Sequence, residues 1–361
     1  MSHIVHVPLE RLSARYTEYL EDMEDKAFHN EFNTVDTRLG TTVSTAIKKG
    51  RVLDSVNRPI YAMSQVIGLL TTPPPPNAPI YFSDFFTPGI EALRYAGFKN
   101  RMYAFLWAQT FDKFDFTMEM IEWMRPWEHM AFEIYEKVFV ASPLLAELIC
   151  TAIPSATERV VVTGLPFDSV HARSLLDPKD ISTTAFDGVY SSRFDEEKNP
   201  SMFLDLVEAC PEQVFVICTG HSELRGTDTK SVRKAMDLAA RQRSNLVIRT
   251  GLSRSEYYGI LQASKTQINC ADQDWVSFTL LEALTFDCVP VYPNHRSFPQ
   301  ALGYSNEYLY NPEDFTDFVQ CFLAAIGPTS DRTRDNLKAL LAPHDKALPT
   351  IAQLMHAENY Q

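Results

Sequence analysis

Arg193 and Lys198 stand five positions apart in Tyr190-Ser-Ser-Arg-Phe-Asp-Glu-Glu-Lys-Asn-Pro200. A planar guanidinium fork and a compact ammonium at that spacing suit the oxygens of a diphosphate. The adjacent Asp195, Glu196 and Glu197 offer the plainer alternative of local ion pairing. A second set lies in Asp274-Trp-Val-Ser-Phe-Thr-Leu-Leu-Glu282. Ser277 reads as the N-cap of a helix whose apolar residues Phe278, Leu280, Leu281, Ala283 and Leu284 mark it as buried. The N–H groups around Ser277, Phe278, Thr279 and Leu280 would meet a phosphate at that helix N-terminus. Glu282 falls inside the apolar run, where a solvated carboxylate is not expected. It needs a partner, either two ribose hydroxyls or a core Arg or Lys. Asp274, in the loop before the helix, can accept from sugar hydroxyls.

The first half of the chain sets polar groups among aromatics directly after expected strands. Val7 to Thr17, Tyr81 to Glu91 and Trp107 to Trp127 hold Arg15, Tyr16, Asp84, Trp107, Gln109, Asp112 and Asp115. Aromatics beside carboxylates suit stacking on a base or sugar and acceptance of a hydroxyl proton. Asp112 or Asp115 is the candidate for orienting an acceptor hydroxyl. The alternatives are core packing for the aromatics and a helix N-terminal role for the carboxylates.

Alternating elements must position these groups. Apolar runs rich in β-branched and aromatic residues, such as Ile4–Val7, Met102–Trp107, Gly188–Ser191 and Val289–Tyr292, recur between helical patterns such as Pro200–Ala209, Arg254–Ala263 and Phe278–Phe286. That order predicts the α/β class, with parallel sheets covered on both faces. Turn-forming residues at Gly164-Leu-Pro-Phe-Asp168 suggest a boundary. The expected division is residues 1–166, residues 167–340, and a C-terminal helix at 341–361 packing back on the first domain. Two such domains facing each other would form a central cleft between the carboxyl ends of their strands. Pro73 to Pro76 reads as a stiff polyproline connector.

At 361 residues, 45% hydrophobic and 22% charged, the chain is globular rather than disordered. No apolar run approaches the ~20 residues of a membrane span, and the N-terminus carries no basic, apolar leader. Six scattered cysteines, none in a CxxC pair, read as buried thiols of a reducing cytoplasm rather than disulfides or a zinc site. The formal charge of −13 disfavours a polyanion partner. Basic stretches at Arg38–Arg58 and at Arg94, Lys99 and Arg101 run against that balance. Asp272-Gln-Asp274 has the form of a metal-binding DxD, but in the wrong half of the chain for that role, so no metal is expected.

In their order and setting these segments resemble the GT-B glycosyltransferases, above all the large retaining family (family 4-like) that uses nucleotide-diphospho-sugars. That family has Arg and Lys five apart after the first strand of its C-terminal domain, matched by Arg193 and Lys198. Its two acidic residues with seven between them are matched by Asp274 and Glu282. Phe139-Val-Ala-Ser-Pro143 and Thr163 to Asp168 are similar to its last N-domain strands and interdomain hinge, Val289-Pro-Val-Tyr-Pro293 to its next strand, and Tyr308 to Glu313 to the segment before its C-terminal helices. The resemblance implies two Rossmann-like domains and a nucleotide-diphospho-sugar donor, UDP-linked in the expectation. It also implies transfer with retention, no required cofactor or metal, and a donor site of Arg193, Lys198, Asp274, Ser277, Phe278, Thr279 and Glu282. Asp274 stands where the family usually has Glu, and Trp275-Val-Ser277 replaces its glycine-rich continuation. The N-terminal half lacks the family's glycine-rich loop and its donor-contacting histidine.

The acceptor stretches look similar to bacteriophage glycosyltransferases linked to modified DNA bases. Glu197 to Pro200 and Pro293 to Pro299 look like enzymes that mannosylate a hypermodified tRNA base. The expected acceptor is therefore a hydroxymethylated pyrimidine in DNA, flipped from the duplex, in a host cytoplasm. A modified tRNA base, a small-molecule or cell-surface glycan, and an inactive binding module are the alternatives.

Overall fold

The computed structural model describes residues 2–11, 17–39, 57–113, 115–272, 274–327 and 331–358. The chain divides into two compact units, Met1–Pro166 with Lys346–Gln361, and Phe167–Asp345. In the first, strands β1 (His3–Val7), β2 (Thr34–Thr37), β3 (Ile80–Phe82), β4 (Met102–Leu106), β5 (Lys137–Val140) and β6 (Val160–Val162) form a sheet in the order β2-β1-β3-β4-β5-β6. In the second, β7 (Phe186–Tyr190), β8 (Phe215–Cys218), β9 (Leu246–Arg249), β10 (Ser264–Ile268), β11 (Val289–Pro293) and β12 (Leu309–Tyr310) form a sheet in the order β12-β11-β10-β7-β8-β9. Neighbouring strands pair in parallel in both. The α/β class read from strand and helix alternation is the observed one. Two strands carry no strand signal in the sequence: β2, a half-exposed edge strand with two threonines and an aspartate, and the two-residue β12.

Strand order fixes where ligands can go. In the first sheet the chain steps from β1 outward to β2, then returns to β3 and proceeds the other way. The second sheet reverses between β7 and β10. Loops leaving adjacent strands at such a reversal part to opposite faces and open a crevice beyond the strand carboxyl ends.

The helix Ala347–Glu358 buries Leu348, Ile351, Ala352 and Met355 in the first unit. The Tyr103 hydroxyl donates to its Glu358 Oε2 at 2.8 Å, and Arg101 donates to the Glu358 carbonyl. No helix among the described residues is long and apolar enough to cross a membrane.

One buried polar cluster in this unit carries a charge. His6, wholly buried in β1, sets Nδ1 2.6 Å from Asp25 and Nε2 3.0 Å from Glu24. Ser83 and Tyr81 donate to the same Glu24 at 2.7 and 3.2 Å. Burial opposes the imidazolium charge, but hydrogen bonds and attraction from Asp25 and Glu24 outweigh it and raise the pKa from 6.5 to about 9. The raised value in the folded state means that this stabilisation is complete below pH 6.5 and is lost as pH rises through about 9. The shift corresponds to on the order of 3 kcal/mol. Urea unfolding at pH 6 and pH 9.5 should show the loss in the native chain and a flatter profile in His6→Gln; a flat native profile contradicts the assignment.

Candidate functional site

The reversal between β7 and β10 brings the two sequence-derived sets together. After β7 the chain passes Arg193, makes a short 3-10 turn at Glu196–Lys198, and turns through Asn199 (φ 46°) into the helix Pro200–Ala209. The fully buried Tyr190 donates its hydroxyl to the Lys198 carbonyl at 3.0 Å, tying that turn to the end of β7. After β10 the loop reaches Asp274, whose Oδ2 lies 3.6 Å from Lys198 Nζ. The Asp272 N–H donates to the Glu197 carbonyl at 2.9 Å, fastening one loop to the other. Arg193 is 60% exposed on its side chain and pairs with Asp195 at 2.5 Å and Glu197 at 2.7 Å. The plainer alternative, local pairing, therefore holds for Arg193, whereas Lys198 reaches across to the second loop.

Ser277 caps the helix Phe278–Thr285 by accepting from the Leu280 N–H at 3.2 Å, and its hydroxyl lies 3.0 Å from that of Thr279. Glu282, on the next turn, is 2% exposed. Arg254 Nη1 and the Tyr258 hydroxyl donate to its Oε1 at 3.0 and 3.1 Å. The carboxylate thus has the core arginine that was one of its two expected partners. Arg254 and Tyr258 were missed as site residues. Ser253 and Glu256 form a capping box that starts their helix, Arg254–Gln262, and this signal was readable in the sequence.

Trp275 is 5% exposed, and its Nε1 has no hydrogen-bond partner among the described residues. Arg296 lies 5.7 Å from the Trp275 ring and donates Nε to the Asp272 carbonyl at 3.3 Å. Asp274 faces Lys198 and the Trp275 N–H, and Gln273 lies outside the described residues. No group of three or more His, Cys, Asp or Glu side chains among the described residues is placed to hold a metal ion.

A glycine fixes the outer loop. Thr227 N–H donates to Asp195 at 2.9 Å and Asp228 N–H to the Phe194 carbonyl at 3.0 Å. A Cβ on Gly226 would stand 1.9 Å from that same Phe194 oxygen. Gly226→Ala must push the Arg193–Lys198 loop aside. It should weaken binding of a diphosphate ligand at least about tenfold, measured by calorimetry, at little cost in helix content. Unchanged affinity contradicts the close approach.

The first unit holds the remaining candidates. Trp107 Nε1 donates to the Ser83 carbonyl at 2.9 Å. Gln109 is buried in a left-handed conformation, φ 62°, with its Oε1 unpartnered among the described residues. Thr110 beside it is held by Glu128 at 3.1 Å and by Arg125 at 2.9 and 2.6 Å, a buried network the sequence reading missed. Burial pushes the Glu128 carboxyl up. Asp112 is buried. Asp115 accepts from the Thr117 N–H and hydroxyl at 2.9 and 2.6 Å, so it caps a 3-10 turn, the structural alternative for that residue. Asp84 is 8% exposed just after β3, its Oδ1 accepting from the Phe86 N–H at 3.1 Å. Arg15 and Tyr16 lie outside the described residues.

Of the basic groups expected to track a nucleic-acid backbone, Arg94 donates to the carbonyls of Phe98, Asn100 and Ile134 at 2.9 to 3.0 Å. Arg101 binds Glu358, and Arg38 pairs with Asp36 at 2.5 Å. These three guanidiniums hold the unit together; Lys48, Lys49 and Arg51 lie outside the described residues.

No protein-family model and no curated protein matches the sequence. Solved structures do match the fold. A structure described as trehalose-6-phosphate from E. coli bound with UDP-2-fluoro glucose aligns with a TM-score of 0.71 at 12% identity, covering 100% of this chain and 99% of that one. The sucrose-phosphate synthase of Thermosynechococcus elongatus aligns at 0.66 and 13%, covering 100% and 99%. The α,α-trehalose-phosphate synthase (UDP-forming) of Burkholderia xenovorans, in complex with glucose-6-phosphate, aligns at 0.62 and 13%, covering 83% and 76%. At such identities the likeness is one of fold, the GT-B architecture with a parallel sheet in each unit.

Proposed function

We propose that the chain is a glycosyltransferase that moves a sugar from a nucleotide-diphospho-sugar, UDP-linked, to a hydroxyl acceptor. The observation that carries this reading is the pair of loops at the β7/β10 reversal, joined by Lys198 and Asp274 at 3.6 Å. Lys198 and Arg193 take the diphosphate, Arg193 exchanging Asp195 and Glu197 for phosphate oxygens. The N–H groups of Phe278 and Thr279 add the positive end of the helix, and Ser277 holds that end in place. Glu282, oriented by Arg254 and Tyr258, accepts from the ribose, and Asp274 accepts from sugar hydroxyls. A UDP-sugar analogue and a UDP-forming activity appear in the descriptions of two fold neighbours, which supports the choice of donor.

The acceptor oxygen bonds to the anomeric carbon as the bond from that carbon to the diphosphate oxygen breaks. The electron pair stays on the diphosphate, and the acceptor's proton passes to that oxygen or to solvent. Cations stabilise the charge that grows on the leaving group. Retention follows from the family resemblance and places the acceptor on the same face as the departing diphosphate. The first unit supplies the acceptor groups, with Asp84, Trp107, Gln109 and Asp112 as candidates. Asp115 accepts from Thr117 through Oδ1 and, with Asp112, stays the candidate for orienting the hydroxyl. A pyrimidine in DNA loses support because Arg38, Arg94 and Arg101 are engaged within the unit.

Titration of UDP-glucose, GDP-mannose and free UDP into the protein tests the donor assignment. Saturable binding of one nucleotide series, lost when Arg193 and Lys198 are both replaced by Ala, is expected. Binding that survives the double change contradicts it.

A further inference from the structure

The turn that follows β4 is held in a form its own residues disfavour. Gln109 stands at φ 62°, in the left-handed region where a side chain crowds the backbone and glycine is the residue at ease. It is 7% exposed, and its amide Oε1 has no hydrogen-bond partner among the described residues. Buried polar groups are paired in nearly all folded proteins, because burial without a partner forfeits the hydrogen bonds that water supplied. Strain and an unpaired amide oxygen at one residue oppose folding twice over. Such residues persist where the surroundings over-determine them, and they cluster at functional sites.

The surroundings here are one ion pair. Arg125 and Glu128, on the helix Ile121–Ile134, face each other at 3.0 Å, with Glu128 wholly buried. Both close on Thr110, the residue after Gln109. Glu128 accepts from the Thr110 N–H at 3.1 Å and from its hydroxyl. Arg125 donates to that hydroxyl at 2.9 Å and to the Thr110 carbonyl at 2.6 Å. Every polar group of Thr110 is thereby engaged by one helix. The peptide joining Gln109 to Thr110 is pinned at its other end as well, where the Gln109 carbonyl accepts from the Asp112 N–H at 3.1 Å. The Arg125 guanidinium also lies 4.6 Å from the centre of the Phe111 ring. A buried ion pair contributes little net stability once its desolvation is counted, and its best-attested use is to fix one conformation against others.

We infer that the Arg125–Glu128 pair is a positioning device for the turn after β4, holding Gln109 strained so that its amide takes a hydroxyl of a sugar substrate in place of a partner from the protein. The amide offers an acceptor oxygen and two donor hydrogens, and a sugar hydroxyl offers the complement of either. The two charges of the clamp meet each other, so the turn asks no charge of its ligand. Arg125, Glu128 and Thr110 are positioning residues, and Gln109 is the residue that touches the substrate. The sugar in this statement rests on the glycosyltransferase reading, whereas the clamp and the strain do not.

Thermal unfolding and ligand-observed NMR on the intact chain test it, with UDP, UDP-glucose and glucose as probes. Gln109→Gly relieves the left-handed backbone and removes the unpaired amide, so this variant should melt no lower than the native protein. It should bind UDP-glucose or glucose at least about tenfold more weakly. A loss confined to UDP-glucose gives the amide to the donor sugar, and a loss confined to glucose gives it to the acceptor. Thr110→Val keeps the side-chain volume and drops the hydroxyl that both charges hold. It should weaken the same probe at least about fivefold, and Thr110→Ser should restore the affinity. UDP, which carries no hexose, should bind all four proteins within about twofold of one another. A Gln109→Gly protein that melts below the native one shows a merely structural role and overturns the inference. So do unchanged affinities for both sugar probes, a Thr110→Ser protein as weak as Thr110→Val, or a native protein that binds neither sugar probe. Failure of UDP to bind the native protein contradicts the donor assignment instead, and glucose affinity and the melting temperatures still decide the clamp.

Discussion

Lys198→Ala is expected to lower kcat/KM for sugar transfer by about 100- to 1,000-fold, with the far-ultraviolet circular dichroism unchanged. The side chain is 12% exposed and aimed across the β7/β10 reversal at Asp274. A preorganised positive group at a leaving diphosphate acts in a partly desolvated site, where removal of one such group costs on the order of 3–4 kcal/mol in the transition state. Lys198→Arg should recover only part of the loss, since a planar fork on a longer stem does not reproduce a compact ammonium held by the turn that Tyr190 ties down. Arg193→Ala should also reduce transfer severely. Its effect should show first as weaker donor binding, because the guanidinium must leave Asp195 and Glu197 to engage a ligand. Turnover within threefold of the native protein in Lys198→Ala contradicts the donor assignment.

Arg254→Ala is expected to destabilise the second unit by about 3 kcal/mol or more. Its side chain is 17% exposed and Glu282's is 3% exposed, so removing the arginine takes the charged donor away from a desolvated carboxylate. Breaking a buried pair from one side costs about 3–5 kcal/mol, whereas neutralising both partners costs far less. The double variant Arg254→Ala with Glu282→Gln should therefore be more stable than Arg254→Ala alone, while remaining unable to transfer sugar. Urea denaturation followed by tryptophan fluorescence reads both quantities. A loss below about 1 kcal/mol, or no recovery in the double variant, contradicts the view that the pair is desolvated and mutually required.

The two loops proposed for the donor stand out in the sequence because their chemistry is local. Arg193 and Lys198 are separated by one turn, and Asp274 to Glu282 by one loop and one turn of helix. What joins the loops is the sheet reversal, and no spacing in the chain encodes the 3.6 Å approach of Lys198 to Asp274. Glu282 announced its need for a partner by lying in an apolar helix. Arg254 opens a helical pattern in the sequence with nothing to link it to Glu282, and only the fold sets it 3.0 Å away. His6 lies 18 and 19 positions before Glu24 and Asp25 with no motif to join them, and only the packing brings them together and buries His6 and Glu24 wholly. The edge strand β2 lacks an apolar run because half of its surface faces outward, so it carried no strand signal.

The central claim is most directly tested by a transfer assay on the intact chain. UDP-[14C]glucose and GDP-[14C]mannose are offered separately with glucose, glucosamine, glucose-6-phosphate, tRNA and hydroxymethylcytosine-containing DNA, and labelled glycoside and released nucleoside diphosphate are counted together. The predicted result is label moving from a UDP-sugar to a hydroxyl acceptor, one UDP appearing per glycosidic bond, with the anomeric configuration of the donor kept. No release of nucleoside diphosphate from either donor, with every acceptor present and the protein folded, would contradict it.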